Sequence, residues 1–323
     1  LLLEPTRSNL VTYSEDFSNA AWVKLGAGTG STALVTTNYA ISPDGTQNAT
    51  RLQCDLGNGN TISDQSLIYD SYASSGTQSM SVYLKSNTGQ NQTLYFANTI
   101  SENDTVLATS EWKRFTFTHS TASVVLALGL RGTSGSDNVA DVLVWGAQAE
   151  QGSYATSYIP TQGSAVTRSA DVCNNGGNEQ VINSTEGVLY AEISALGIAT
   201  NKYINIYQDA NNRILLWITS TGVIRGYAIV NSSGSDVFID AVGVDATNNN
   251  KIALSWQGFT LSLFVNGIKI GNSTVTNSFS TMNLTTLDLK DVTNANFFYG
   301  NVKDVRVYNT ALTDAELQTL TSN

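Results

Sequence analysis

One histidine, two cysteines and three prolines are all that this 323-residue chain holds of those residue types. The lone His119, in Phe117-Thr118-His119-Ser120, is the one base a Ser-His-Asp triad could use, and no serine stands in a recognisable nucleophile elbow. It reads instead as a surface histidine at the end of a strand. Zinc sites need clustered His and Cys, which one His and the distant Cys54 and Cys173 do not supply. The cysteines fall in an expected strand and an expected linker, so no disulfide framework follows and both are expected as free thiols. Charge is scarce as well: 13% of residues, against about 25% in ordinary soluble proteins. The net charge of −10 is evenly spread, with 8 Lys and Arg against 13 Asp and Glu in residues 1–168 and the same in 169–323. Neither half has the basic patch that phosphate backbones or anionic membrane surfaces require, so nucleic acid is not expected as a partner. No apolar run is long enough for membrane insertion, and Leu1-Leu2-Leu3 is too short for a signal peptide. The chain opens without an initiator Met, as expected of a piece of a longer protein.

What fills the space is Ser, Thr, Asn and Gly, together with Val, Ile and Tyr, a mixture suited to strands and turns. Segments alternate with period two: Ser79–Lys85 places Met80, Val82 and Leu84 on one side, and Thr93–Ala97, Trp112–Thr118, Val124–Arg131 and Val139–Trp145 behave alike. Turn-rich stretches such as 86–91 and 132–138 separate them. This spacing, without intervening helical patterns, predicts an antiparallel sandwich of seven to ten strands. The periodicity stops over 151–163, and a short ordered linker is expected near 158–170. Strands resume at 187–193, 202–207, 214–219, 222–230, 251–256, 260–265, 284–289 and 301–308. Asn266-Gly267 is a strong two-residue hairpin turn, because both residues tolerate positive φ. One helix is expected: Thr313-Asp314-Ala315-Glu316 is a capping box, and Leu317 and Leu320 give it an apolar face that would cover a sandwich as a small lid. The fold class is therefore all-β, two antiparallel jelly-roll sandwiches in tandem over 1–165 and 166–323 with a short C-terminal helix; about 150 residues per domain fits this length.

Two families are then recognisable. Leu2–Leu10, Tyr13-Ser14-Glu15-Asp16-Phe17-Ser18, Trp22, Ser81–Lys85, Trp145–Glu150 and Thr156–Thr161, in this order, resemble the carbohydrate-binding-module jelly roll of bacteriophage tail and head-fibre proteins over about residues 1–170. Asn211–Leu216, Lys251–Trp256, Leu263–Gly267, Gly300–Tyr308 and Ala311–Leu317 are similar to the concanavalin A-like, laminin G-like lectin fold over about 171–323. The pairing implies a virion or extracellular module whose partner is a polysaccharide or cell-surface glycan, beside other virion proteins. The first family also implies a structural Ca²⁺ held by an N-terminal carboxylate, Glu15 or Asp16, and by Asp141 on the final strand; Ca²⁺ takes six to eight oxygen ligands.

Sugar binding calls for rigid aromatic rings and planar polar groups. In the first domain alternation sets Tyr83 and Lys85 opposite Met80, Val82 and Leu84, Tyr95 opposite Leu94 and Phe96, and Arg131 opposite Leu126, Leu128 and Leu130. If the apolar sets face the core, Tyr83, Lys85, Tyr95 and Arg131 share the other face, with Trp22 either flanking it or packed in the core. Cross-strand pairing on a solvated face is the plainer reading. Trp112 and Trp145 read as core. In the second domain Tyr203, Asn205 and Tyr207 share one face, Arg225 and Tyr227 repeat the pattern, and Trp217 is in phase with Leu215; these are candidates for a second sugar surface, with packing between the layers the plainer reading, above all for Trp217 and Trp256. Glycoside hydrolysis needs two facing carboxyls, and the nearest match to the Glu-x-Asp-x-x-Glu strand of concanavalin A-like hydrolases, Glu102-Asn103-Asp104, lacks the final Glu. The expectation is non-catalytic polysaccharide binding; its rivals are a virion spacer or decoration protein without glycan affinity and a fragment of a polysaccharide-degrading enzyme.

Overall fold

The computed structural model describes residues 1–98, 103–120, 125–231 and 236–322. It divides into two compact units, Thr6–Ser169 on one side and Leu1–Pro5 with Ala170–Asn323 on the other. This differs from the expected boundary at both ends, and backbone pairing gives the reason. Val166–Arg168 pairs with Arg7–Asn9 and closes the first unit. Leu2–Leu3 instead pairs with Asn301 and Gly300 as the edge of a sheet in the second unit. Glu4 and Asp171 reinforce this, each accepting from the other's backbone N–H at 2.9 Å.

The first unit has two five-stranded antiparallel sheets. One runs, in spatial order, Lys113–His119, Gln78–Ser86, Val139–Gln151, Ala49–Asp55, Leu34–Ala40; the other runs Val23–Ala27, Gln65–Ser71, Val125–Arg131, Gln92–Ala97, Asn103–Ala108. Between them lie the alternating apolar residues: Met80, Val82 and Leu84 from the first sheet meet Leu94, Phe96, Leu126, Leu128 and Leu130 from the second. Each such side chain contributes about 1.5–3 kcal/mol through burial. Trp22 belongs to this core: it is 1% exposed, its ring lies 4.8 Å from that of Phe17, and its indole N–H donates to the Tyr13 carbonyl at 2.8 Å.

The expected linker is part of the first unit. Ile159 is buried and its N–H donates to Gln148 Oε1 at 2.6 Å, while the Thr156 N–H donates to Glu150. Cys173, placed in that linker from sequence, packs against the core of the second unit; it and Cys54 are free thiols. His119 is buried, stacked on Phe117 at 6.1 Å, rather than lying at the surface. Trp112 precedes its strand, is half-exposed and donates to the Ile41 carbonyl, so it is not core. Trp145 is buried, but it faces away from the core, against Tyr83 and Tyr158. A bulge at Gly146, with φ +64°, shifts the register there, and a Cβ would sit 3.2 Å from the Tyr83 ring. Glu102 and Val124 lie outside the described residues.

The second unit packs a six-stranded sheet on a five-stranded one. The larger runs Leu2–Leu3, Gly300–Tyr308, Glu186–Ala195, Asn250–Gln257, Thr260–Val265, Ile268–Thr274; the smaller runs Val237–Ala241, Ile224–Ile229, Asn212–Ile218, Lys202–Asp209, Thr286–Asp288. Ile204, Ile206, Ile214, Leu216 and Ile224 face Leu189, Ile252, Leu254 and Leu263 across the core, where Trp256 is fully buried. Gly226 permits the close approach, because a Cβ there would lie 2.5 Å from Leu254 Cδ1. Asn266 and Gly267 turn the expected hairpin with φ of +50° and +79°. Thr313 caps the helix Asp314–Thr321 with the full capping box. Leu317 docks on Val188, Tyr190, Ala253 and Phe264, the outward residues of the larger sheet.

Candidate functional site

The smaller sheet of the second unit turns Ile204, Ile206, Ile214 and Leu216 inward, so the residues between them form its outer face. Pairing across the strands fixes which of them are neighbours. Tyr203 sits beside Trp217, Trp217 beside Arg225, and Arg225 beside Asp240. The next row is Asn205, Leu215, Tyr227 and Phe238. Tyr207 and Arg213 begin the third.

The first row is a continuous stack. The Tyr203 and Trp217 rings lie 5.5 Å apart at 16°. The Arg225 guanidinium covers the other side of Trp217 at 4.7 Å and reaches over Phe238 at 4.2 Å. Asp240 pins Arg225 with bonds of 2.6 and 2.9 Å, which holds its pKa above the usual arginine value. A bidentate, half-buried pair of this kind fixes the fork of the guanidinium far better than a surface ion pair would. Trp217 is held as well, its indole N–H donating to Asn201 Oδ1 at 3.1 Å. Tyr227 stands edge-on to Trp217 at 6.2 Å and 77°, with Arg213 over its ring at 5.8 Å. These residues, with Asp236, enclose a groove of about 360 Å³ floored by Leu215. Burial raises the phenol pKa values of Tyr203 and Tyr227, so both hydroxyls keep their protons at neutral pH. The Tyr227 hydroxyl donates to Asp236 at 3.3 Å.

Of the residues expected to bind sugar, Tyr203 and Tyr227 meet in this groove. Tyr207 shares the face but donates its hydroxyl to Asp288 at 2.8 Å; burial, then this bond, push its pKa up to about 12. Trp217, a candidate for that surface with layer packing as its plainer reading, is the middle of the outer stack. Phe238 belongs to a strand absent from the sequence reading, and Arg213 had no assigned role.

The first unit does not assemble the expected face. Tyr83 and Lys85 lie on one sheet, Tyr95 and Arg131 on the other. Consecutive strands Gln78–Ser86 and Gln92–Ala97 enter opposite sheets, so pointing away from the core means opposite sides of the sandwich. Tyr95 and Arg131 are 2% and 8% exposed, packed on each other with Leu67, Ala97 and Ala127 nearby. Tyr83 packs edge-on against Trp145 at 5.3 Å, beneath Arg114. Trp22 lies in the core and flanks no groove.

The three acids expected to hold Ca²⁺ are each engaged separately. Glu15 accepts from the Tyr158 hydroxyl at 2.9 Å and from Asn48 at 3.0 Å. Asp16 accepts from Ser18. Asp141 accepts a bidentate pair from Arg51 at 2.8 and 2.6 Å, which lowers its pKa. Among the described residues no three His, Cys, Asp or Glu side chains gather as a metal site. Glu15 and Asp16 do line a groove of about 710 Å³ with Tyr13, Asn48 and Gln162.

Residues 191–318 match the family described as the concanavalin A-like lectin/glucanases superfamily. That span contains every residue of the aromatic groove. No curated protein matches the chain. Among solved structures, the chain is similar to the CBM40 domain of the Ruminococcus gnavus IT-sialidase, at 18% identity and TM-score 0.37, covering 43% of this chain and 84% of that one. The same domain bound to α2,3-sialyllactose gives 17% and 0.38 over 47% of this chain and 95% of that one. A heptameric SAP-like pentraxin from Limulus polyphemus gives 15% and 0.37 over 46% and 74%. Among the described residues no helix is long and apolar enough to cross a membrane.

Proposed function

We propose that this chain is a non-catalytic module that binds polysaccharide or cell-surface glycan, with the groove on the second unit as its sugar site. The observation that carries the reading is the groove itself: four aromatic rings, two arginines and a tyrosine hydroxyl converge on the outer face of a sheet within the lectin-like span. Sugars present C–H faces to aromatic rings and hydroxyls to planar polar groups, and rings already locked by neighbours lose little entropy on binding. Arg225 is offset by Asp240, and Arg213 and Asp236 both contact Tyr227, so the lining carries charges of both signs, which suits a neutral ligand. Hydrolysis would need two carboxyls flanking a glycosidic bond. The described lining offers Asp236 alone, and the neighbouring Asp240 is committed to Arg225. The setting we propose is a virion, phage-type or extracellular one, which rests on the resemblance of the first unit to fibre-associated jelly rolls.

Retention on a panel of soluble polysaccharides and a glycan array tests this. The wild type is expected to bind, and Trp217→Ala is expected to weaken binding at least tenfold, about 1.4 kcal/mol, with the circular dichroism spectrum unchanged. Failure of the wild type to bind any member would leave the spacer reading in its place. New reducing ends would show the chain to be a hydrolase.

A further inference from the structure

Asn205 occupies the same outer face as Tyr203 and Tyr207, beside Leu215, the groove floor. Its side chain is fully buried, and among the described residues neither its amide nitrogen nor its amide oxygen has a hydrogen-bond partner. Buried amides are nearly always paired. The neighbour that could satisfy this one, Asp288 across the strand, has its oxygens taken: Oδ1 accepts from the Asn175 N–H at 2.6 Å, and Oδ2 accepts from Tyr207 at 2.8 Å and faces Lys290 at 3.6 Å. An apolar residue at 205 would remove this penalty, so the asparagine is retained at the expense of stability.

The groove walls differ in how firmly they are held. The Tyr203–Trp217–Arg225–Phe238 stack is fixed by Asp240 and Asn201. Among the described residues, the Arg213 guanidinium lies over the ring of Tyr227, and its Nε is buried without a hydrogen-bond partner. No carboxylate pairs with it among the described residues.

Resting on the sugar-binding reading, we infer that Asn205 is the specificity-determining residue of the groove: its amide, beside the floor residue Leu215, is held in reserve for a pair of vicinal hydroxyls on a neutral saccharide. An amide both donates and accepts, which matches a diol, whereas a carboxylate can only accept. A site whose buried polar group is satisfied only by the right ligand rejects ligands lacking the matching hydroxyls strongly.

The test uses the full chain as wild type, Asn205→Leu and Trp217→Ala. Each is measured for melting temperature and for retention on neutral polysaccharides (glucan, galactan, mannan, xylan) and acidic glycans (polygalacturonate, sialyllactose). Asn205→Leu is expected to raise the melting temperature by about 3 °C and to weaken binding to the best neutral polysaccharide at least tenfold. Wild-type affinity in Asn205→Leu, with binding lost in Trp217→Ala, overturns the role of Asn205 and leaves the groove as the sugar site. A lower melting temperature in Asn205→Leu overturns it too, by showing that the amide has a native partner. Wild-type binding confined to the acidic glycans overturns the neutral-diol assignment. No wild-type binding at all removes the sugar-binding reading and this inference with it.

Discussion

Lys202 offers a quantitative test of the second unit's core. It lies on the core side of the strand that carries Tyr203 and Asn205, and it is 2% exposed. Its ammonium donates to the Thr200 carbonyl at 3.1 Å and has no carboxylate partner among the described residues. Burial alone lowers its pKa from 10.5 to about 8. Below pH 8 both folded and unfolded chains hold the proton, and the folded state bears the full desolvation penalty. Between pH 8 and 10.5 the unfolded chain binds more protons, so stability rises with pH across that window. The shift corresponds to about 3 kcal/mol, reduced to about 1–2 kcal/mol by solvent screening near the exposed Thr200. Lys202→Met keeps the volume and the unbranched shape, and Thr200 can turn its carbonyl to water. At pH 7 it is expected to stabilise this unit by about 1–2 kcal/mol, raising its melting temperature by about 3–6 °C. The gain is expected to shrink steadily from pH 8 and to vanish near 10.5. Amide exchange in peptides spanning 202–218, measured at several pH values, reports this unit alone. Destabilisation at pH 7, or a gain that does not change with pH, would refute the reasoning.

Two further perturbations bear on the folds themselves. Asp64 accepts from the N–H and hydroxyl of both Thr29 and Thr61, at 2.7–3.1 Å, and these bonds hold its pKa far below the usual carboxylate range. Its contribution is present above about pH 3.9 and is lost as pH falls below it, so Asp64→Asn should lower the melting temperature of the first unit at pH 6 and flatten its acid dependence between pH 5 and 2. In the second unit, Thr313→Ala removes the cap of the C-terminal helix and should cost about 1 kcal/mol, read as faster amide exchange over 314–321 with the strands beneath unchanged.

Much of the fold is legible in the sequence because burial on one side of a strand writes a period of two. Met80, Val82 and Leu84, or Ile204 and Ile206, announce their inward face directly. The Asn266-Gly267 turn and the Thr313 capping box are local devices, legible because their geometry depends on a few adjacent residues. What alternation does not encode is which sheet a strand joins. Tyr83 and Tyr95 both point away from the core, yet on opposite sides of the sandwich, so the expected sugar face in the first unit never forms. The same gap blurred the second sugar surface. Arg225 and Tyr227 were visible as a pair in phase, but their meeting with Trp217 and Phe238 depends on the strand order, and Val237–Ala241 is too short to declare itself. Trp22 shows the converse: a tryptophan in an irregular segment carries no periodic signal, and only its packing on Phe17 places it in the core.

A spacer and a sugar-binding module predict different fates for the strand Lys202–Asp209. It carries two polar groups that burial leaves poorly satisfied, Lys202 on the core side and Asn205 on the groove side. A domain is stable by only about 5–15 kcal/mol, so two such groups on one strand are a large concession. In a spacer, replacing either with an apolar residue improves the protein and alters nothing else. In a binding module the two substitutions part company. Lys202→Met raises stability and leaves affinity intact, because its side chain points into the core. Asn205→Leu raises stability and removes affinity, because its amide lies on the groove side, beside the floor residue Leu215. The divergence between these two variants, measured on one protein with one ligand, separates a fold that tolerates imperfect packing from one that keeps a polar group for something it binds.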